Sequence, residues 1–136
     1  MTGPARGSRA SSRPPHALED LEDTQLERFA QGELAPAALA VLLADPEARA
    51  GLTLVDVREG WERRVDRIEA PEGVTDRHLP LDELLDAPDR LSLDGAETVV
   101  LWCAAGVRSA RARETVASAR PELAGRLHTL AGGLEA

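Results

Sequence analysis

Apolar positions along the chain fall into two rhythms, a helical stripe near the N-terminus and three short, nearly continuous runs further on. From Leu18 to Ala30 the apolar residues Leu18, Leu21, Leu26 and Phe29 form an irregular stripe on an acidic background. That pattern predicts a short amphipathic helix docked on the rest of the protein. Gly32 separates it from a second helical stretch, in which Pro36 suits a first turn and Leu39, Leu42 and Leu43 follow before Pro46. The first run, Leu52-Thr53-Leu54-Val55-Asp56-Val57, nearly continuous in apolar and β-forming residues with Asp56 as its polar interruption, reads as a strand buried on both faces, as in a parallel sheet covered by helices. The second is Thr98-Val99-Val100-Leu101-Trp102, and the third is the shorter Leu127–Leu130. Between the second and third, an Ala- and Arg-rich helix from about Ser109 to Ala119 is stopped by Pro121. Strand, loop, helix and strand in that order predict parallel βαβ construction.

The remaining stretches carry weaker patterns. Residues 1–15 are rich in Gly, Ser, Pro and Arg and end in Pro14-Pro15, so a disordered arm is expected there. Residues 58–78 hold many charges, with a loop or short helical turn expected around Gly60–Arg64 and a short strand near His78-Leu79. Leu81–Leu85 fits a short helix, and Ser92–Gly95 a connection. The expected organisation is an arm at 1–15, a docking helix at 16–32 and an α/β domain at 33–134. Its core is a small, mostly parallel central sheet with helices on both faces.

Composition narrows the function classes. With 136 residues the chain suits one domain of ordinary size. Its aromatic residues are one Phe and two Trp, so the core must be aliphatic. A formal net charge of −8 argues against a general nucleic-acid binder. No apolar run reaches the roughly 18–20 residues needed to cross a bilayer, and no hydrophobic segment follows Arg6, Arg9 and Arg13 as in a secretory signal. A cytoplasmic protein with neither nucleic-acid nor membrane partners is the expectation. The single cysteine rules out an intrachain disulfide and a zinc site built on cysteines. His16, His78 and His128 have no metal-ligand spacing, and His78 reads as a strand-end or surface residue. No metal and no cofactor are expected.

Cys103 then becomes the main chemical candidate. A lone cysteine at a strand end is ordinarily a small buried hydrophobe. Here, however, it leaves a buried strand and a helix begins within a few residues. If Ala104 to Arg108 fold back around the thiol, backbone N–H groups and the helix end converge on sulfur and favour the nucleophilic thiolate. Ala104 and Ala105 leave such a pocket open, and Gly106 can take dihedrals barred to bulkier residues. Arg108 can turn its planar fork to a sulfonate, a phosphate or a loop carboxylate. Ser109 can cap the helix or donate to a bound anion.

Four segments together resemble the rhodanese-like family, in its single-domain, thiosulfate-sulfurtransferase-like form. Leu54-Val55-Asp56-Val57-Arg58-Glu59 looks like the family's strand ending in Asp-x-Arg, and His78-Leu79-Pro80-Leu81 like its short strand leading into a helix. Cys103-Ala104-Ala105-Gly106-Val107-Arg108-Ser109 resembles the active loop, and Leu130-Ala131-Gly132-Gly133 the C-terminal glycine pair. The four occur in the family's order over residues 33–134. The stretch from Asp66 to His78 departs from the family's compact Gly-His-Ile-Pro-Gly-Ala-like turn, which opens the choice of partner.

The resemblance implies that Cys103 accepts sulfane sulfur from thiosulfate or a protein persulfide, holds it as a persulfide, and passes it to a thiol or a sulfur-carrier protein. It implies that Ala104, Ala105, Gly106 and Val107 cradle the anion with Arg108, while Asp56 and Arg58 hold the loop and tune its rim. Four residues separate Cys103 from Arg108, one fewer than in the related phosphatases and arsenate reductases, and the tighter loop favours sulfur over a tetrahedral oxyanion. The rival expectation is a protein-interaction or regulatory module that keeps the scaffold without the chemistry, with residues 66–77 as partner surface.

Overall fold

The computed structural model describes residues 16–18 and 21–135; the arm expected at 1–15 lies outside the described residues. Five strands form one parallel sheet: β1 (Glu33–Leu34), β2 (Leu52–Asp56), β3 (Thr75–His78), β4 (Thr98–Trp102) and β5 (Leu127–Leu130). Their spatial order is β1-β5-β4-β2-β3. Among the described residues six α-helices surround them: α1 (Asp23–Ala30), α2 (Pro36–Ala44), α3 (Pro46–Ala50), α4 (Gly60–Val65), α5 (Leu81–Asp86) and α6 (Val107–Ala119). Among the described residues no helix is long and apolar enough to cross a membrane.

The period-2 alternation of strands sorts the core into two layers. Leu52 and Leu54 of β2, Val100 and Trp102 of β4, and Leu130 of β5 point to one face. There they meet Phe29 of α1 and Ala38, Leu39 and Leu42 of α2. Val55, Val99, Leu101 and Leu127 belong to the other layer, with Leu84 of α5 and Ala112 and Val116 of α6. Both central strands are buried at every position, which is why their sequences read as nearly continuous apolar runs. Leu18 and Phe29 are buried, and Leu21 and Leu26 lie against the same layer.

Several elements differ from the sequence expectation. The docking segment is a 3-10 turn at His16–Leu18 followed by α1 from Asp23, rather than one helix. Pro46 opens a separate helix, α3, because the Asp45 side chain accepts from the Glu47 N–H at 3.3 Å and proline tolerates the first turn. Strand β3 occupies Thr75–His78, upstream of the expected His78-Leu79. The two-residue strand β1 has no counterpart in the sequence reading, and helix α6 begins at Val107 instead of near Ser109.

Topology fixes where a site can form. The chain steps from β2 to β3 toward one edge and from β4 to β5 toward the other. Side by side at this reversal lie β2 and β4, with Asp56 opposite Trp102, and Val57 N–H donates to the Trp102 carbonyl at 3.1 Å. A crevice outside the carboxyl ends of such strands is where open α/β sheets bind ligands. Asp56 ends β2 there, and Cys103 follows β4.

Candidate active site

The alternation of β4 sets the direction of Cys103. Val99 and Leu101 face the layer containing α6, and two residues on, Cys103 joins the same layer. Its side chain therefore lies beneath the first turn of α6, and the residue is only 1 % exposed. The loop closes over it in three residues because Gly106 takes φ +100°, ψ −15°, a left-handed conformation that L side chains rarely adopt.

That closure aims donors at the sulfur. The Gly106 N–H lies 3.0 Å from Cys103 Sγ and the Ser109 N–H 3.4 Å, while Ser109 Oγ is 3.5 Å away. Burial pushes the thiol up, but the Ser109 hydroxyl and the N–H groups of Ser109, Gly106 and Ala105 outweigh it and bring the pKa below the ordinary value. In the thiol form, S–H donates to Ser109 Oγ, whose own proton goes to the Gly106 carbonyl at 3.2 Å. On ionisation the hydroxyl can rotate and donate to the thiolate. Ser109 is therefore not the expected helix cap: Gly106 takes that position, and Ser109 lies in the first turn, buried against sulfur. Val107 and Arg108 likewise belong to the helix rather than the loop.

The C-terminal glycine pair straps the loop from outside. Leu134 N–H donates to the Cys103 carbonyl at 2.8 Å and Glu135 N–H to the Ala104 carbonyl at 2.9 Å. Gly133, at φ +66°, packs so closely that an added Cβ would overlap the Cys103 carbonyl and come within 2.6 Å of the Ala104 backbone. The Cys103 segment and the Gly132-Gly133 segment, far apart in sequence, thus form one backbone unit.

Asp56 and Arg58 lie behind the loop. Asp56 is wholly buried and accepts from Arg58 N–H at 2.9 Å, Arg58 Nε at 3.0 Å, Arg58 Nη2 at 3.1 Å and Arg63 Nη1 at 3.1 Å. The Arg58 guanidinium sits 4.4 Å over the Trp102 ring, and its Nη2 also donates to the Asp66 carbonyl at 2.7 Å. Arg63 continues to Asp76 at 3.1 Å. This buried network ties β2, α4 and β3 to the residue preceding Cys103, and neither side chain contacts Sγ. His78 ends β3, exposed, with its Nε2–H donating to the Arg58 carbonyl at 2.8 Å.

Arg108 occupies a place that the loop motif did not anticipate. Its Nη1 and Nη2 donate to Oε2 and Oε1 of Glu62 on α4 at 2.7 and 2.9 Å, a bidentate pair. The Arg108 hydrogen bond outweighs burial and holds the Glu62 carboxyl down at about 2. Glu62 Oε2 also accepts from the Glu59 N–H at 2.8 Å at the start of α4. Glu62 escaped the sequence reading because its partner is 46 positions away. The one available signal is its spacing, three residues past the N-cap Glu59.

No family model matches the sequence, and no curated protein does. Solved structures do resemble this fold. A rhodanese-related protein from Thermoplasma volcanium is 24% identical, covering 76% of this chain and 87% of its own, with a TM-score of 0.52. A rhodanese homolog from the extremely thermophilic bacterium Thermus thermophilus is 23% identical over 77% of this chain and 99% of its own, at 0.51. The As-Sb reductase from Leishmania major is 21% identical over 76% of this chain and 73% of its own, at 0.56. Likeness at this level of identity establishes architecture, and with the parallel five-stranded sheet the protein has a rhodanese-like α/β fold.

Proposed function

We propose that the protein is a sulfurtransferase in which Cys103 carries sulfane sulfur as a persulfide. One observation carries the reading: two backbone N–H groups and a hydroxyl converge on a single buried sulfur at a strand-to-helix turn. Such a cradle lowers the thiol pKa and suits a small anionic sulfur species. Cys103 thiolate attacks the outer sulfur of a donor, either thiosulfate, releasing sulfite, or a protein persulfide R–S–SH, releasing the thiolate R–S⁻. The enzyme persulfide then yields its outer sulfur to an acceptor thiol or sulfur-carrier protein, restoring the Cys103 thiolate.

In this reading the N–H groups of Ala105, Gly106 and Ser109 stabilise the thiolate, while Ala104 and Val107 shape the loop. Arg108 is a positioning residue that fixes the loop to α4, and Asp56 and Arg58 brace the end of β4. No second cysteine competes for the persulfide, and the abundant thiols of a reducing cytoplasm would serve as acceptors.

Cyanide as a generic acceptor tests the reading. Turnover with a sulfane-sulfur donor should release thiocyanate, and Cys103→Ser should abolish it. A folded wild-type protein inactive with thiosulfate and with low-molecular-weight persulfides would instead support a docking or regulatory module, for which residues 66–77 are the proposed partner surface.

A further inference from the structure

The cation closest to Cys103 in sequence, Arg108, is compensated by a carboxylate. Ala104, Ala105, Gly106 and Val107 contribute no side-chain charge, and Ala105 and Val107 are exposed. Arg108, in the first turn of α6, is the one cation between Ala104 and Ala110, and both of its terminal nitrogens meet the two oxygens of Glu62. Arg58 and Arg63 are committed to buried Asp56. Arg64 and Arg67 line a cleft with Gly60, Asp66, Glu69 and His78, whose lining includes no residue of the Cys103 loop. Trp61, next to Glu62 in sequence, and Val107, next to Arg108, are 61 % and 77 % exposed.

We propose that Glu62 determines the donor class: by cancelling the Arg108 charge, it favours an organic persulfide over the inorganic dianion thiosulfate. This rests on the sulfur-carrier reading and narrows it. The step is balanced without a further reactant. Cys103 thiolate forms a bond to the terminal sulfur of R–S–SH, the S–S bond of the donor breaks, and R–S⁻ leaves with the electron pair. A dianion would face a charge-neutral pair in place of a free guanidinium and would bind without the electrostatic attraction that concentrates anions at an uncompensated cation.

Two substitutions shift the charge of this pair in opposite directions. Glu62→Gln keeps an oxygen for Arg108 and removes the negative charge; Arg108→Gln leaves the carboxylate uncompensated. Sulfur loading is measured with thiosulfate and with the persulfide of 2-mercaptoethanol. In Glu62→Gln the ratio of kcat/KM for thiosulfate to that for the persulfide should rise about tenfold, and in Arg108→Gln it should fall. Alkylation of Cys103 provides a readout that needs no sulfur transfer. The rate with iodoacetate relative to iodoacetamide should rise about threefold or more in Glu62→Gln and fall in Arg108→Gln. Taking the ratio cancels any change in thiol pKa or accessibility. Alkylation ratios unchanged in both variants would overturn the inference whatever the sulfur assays give. Alkylation ratios that move as expected in a protein no donor can load would uphold the charge selection and overturn the sulfur-carrier reading.

Discussion

Ser109 and Gly133 test the cradle without touching its nucleophile. Ser109 supplies both an N–H and a hydroxyl to Cys103 Sγ, so Ser109→Ala removes one donor from a buried thiolate. The thiol pKa should rise, moving the midpoint of the pH profile for iodoacetamide alkylation upward. A midpoint unchanged from wild type would mean that the hydroxyl contributes nothing to the anion. Gly133 acts through the backbone. A methyl group there meets the Cys103 and Ala104 carbonyl region at a positive φ, so Gly133→Ala must strain or displace the loop. A stability loss of about 1–3 kcal/mol is expected from chemical denaturation, with a larger fall in sulfur transfer than in folded fraction at assay temperature. At this scale the sequence was informative about identity and poor at geometry. Cys103, Gly106 and the glycine pair could be singled out by residue type, because few residues accept a left-handed turn or act as a nucleophile. The role of Ser109 could not, since a serine near a helix start caps or packs depending on a one-residue shift in where the helix begins.

Between elements, the pair Glu62–Arg108 and the stack of Phe29 on His128 join segments distant in sequence. His128 lies in β5 with its ring 3.9 Å from that of Phe29 in α1, and its Nδ1–H donates to the Arg126 carbonyl at 3.0 Å. Burial is the main cause that lowers its pKa to about 4, so the folded protein holds it neutral. The folded value lies below the unfolded one near 6.5, so the unfolded chain binds the proton first as pH falls. This stability is complete above about pH 6.5 and is lost progressively toward pH 4, on the order of 3 kcal/mol in all. Urea titrations across that window should show the loss in wild type and a flatter dependence in His128→Leu. Equal slopes would remove His128 as the cause. The bridge of Glu62 obeys the same sign at lower pH: it contributes above the ordinary carboxylate range and is lost as pH falls toward about 2.

The elements also show what made the fold legible. Strands β2 and β4 were clear because burial on both faces imposes a nearly continuous apolar run, and α2 because Pro36 marks its start. Strand β1 was not, because two residues carry no period; Glu33 and Leu34 become a strand only through pairing with Thr129 and Leu130. Helix α4 was legible only as a loop or short helical turn, and its carboxylate at Glu62 not at all, since an ion pair across the fold leaves no local pattern.

At the level of the whole molecule, sheet order places the chemistry. The reversal between β2 and β4 brings a braced Asp56–Arg58 turn beside the turn that holds Cys103, and the C-terminal Leu134 and Glu135 close over both carbonyls of that loop. Architecture alone leaves open whether this scaffold transfers sulfur or only docks partners; the donors aimed at one sulfur favour transfer. Intact mass spectrometry of the protein after incubation with a sulfane-sulfur donor tests this most directly. The account expects a species heavier by one sulfur atom, about 32 Da, mapped to Cys103, reversed by cyanide and absent from Cys103→Ser. An unmodified wild-type mass with thiosulfate and with organic persulfides alike would contradict it.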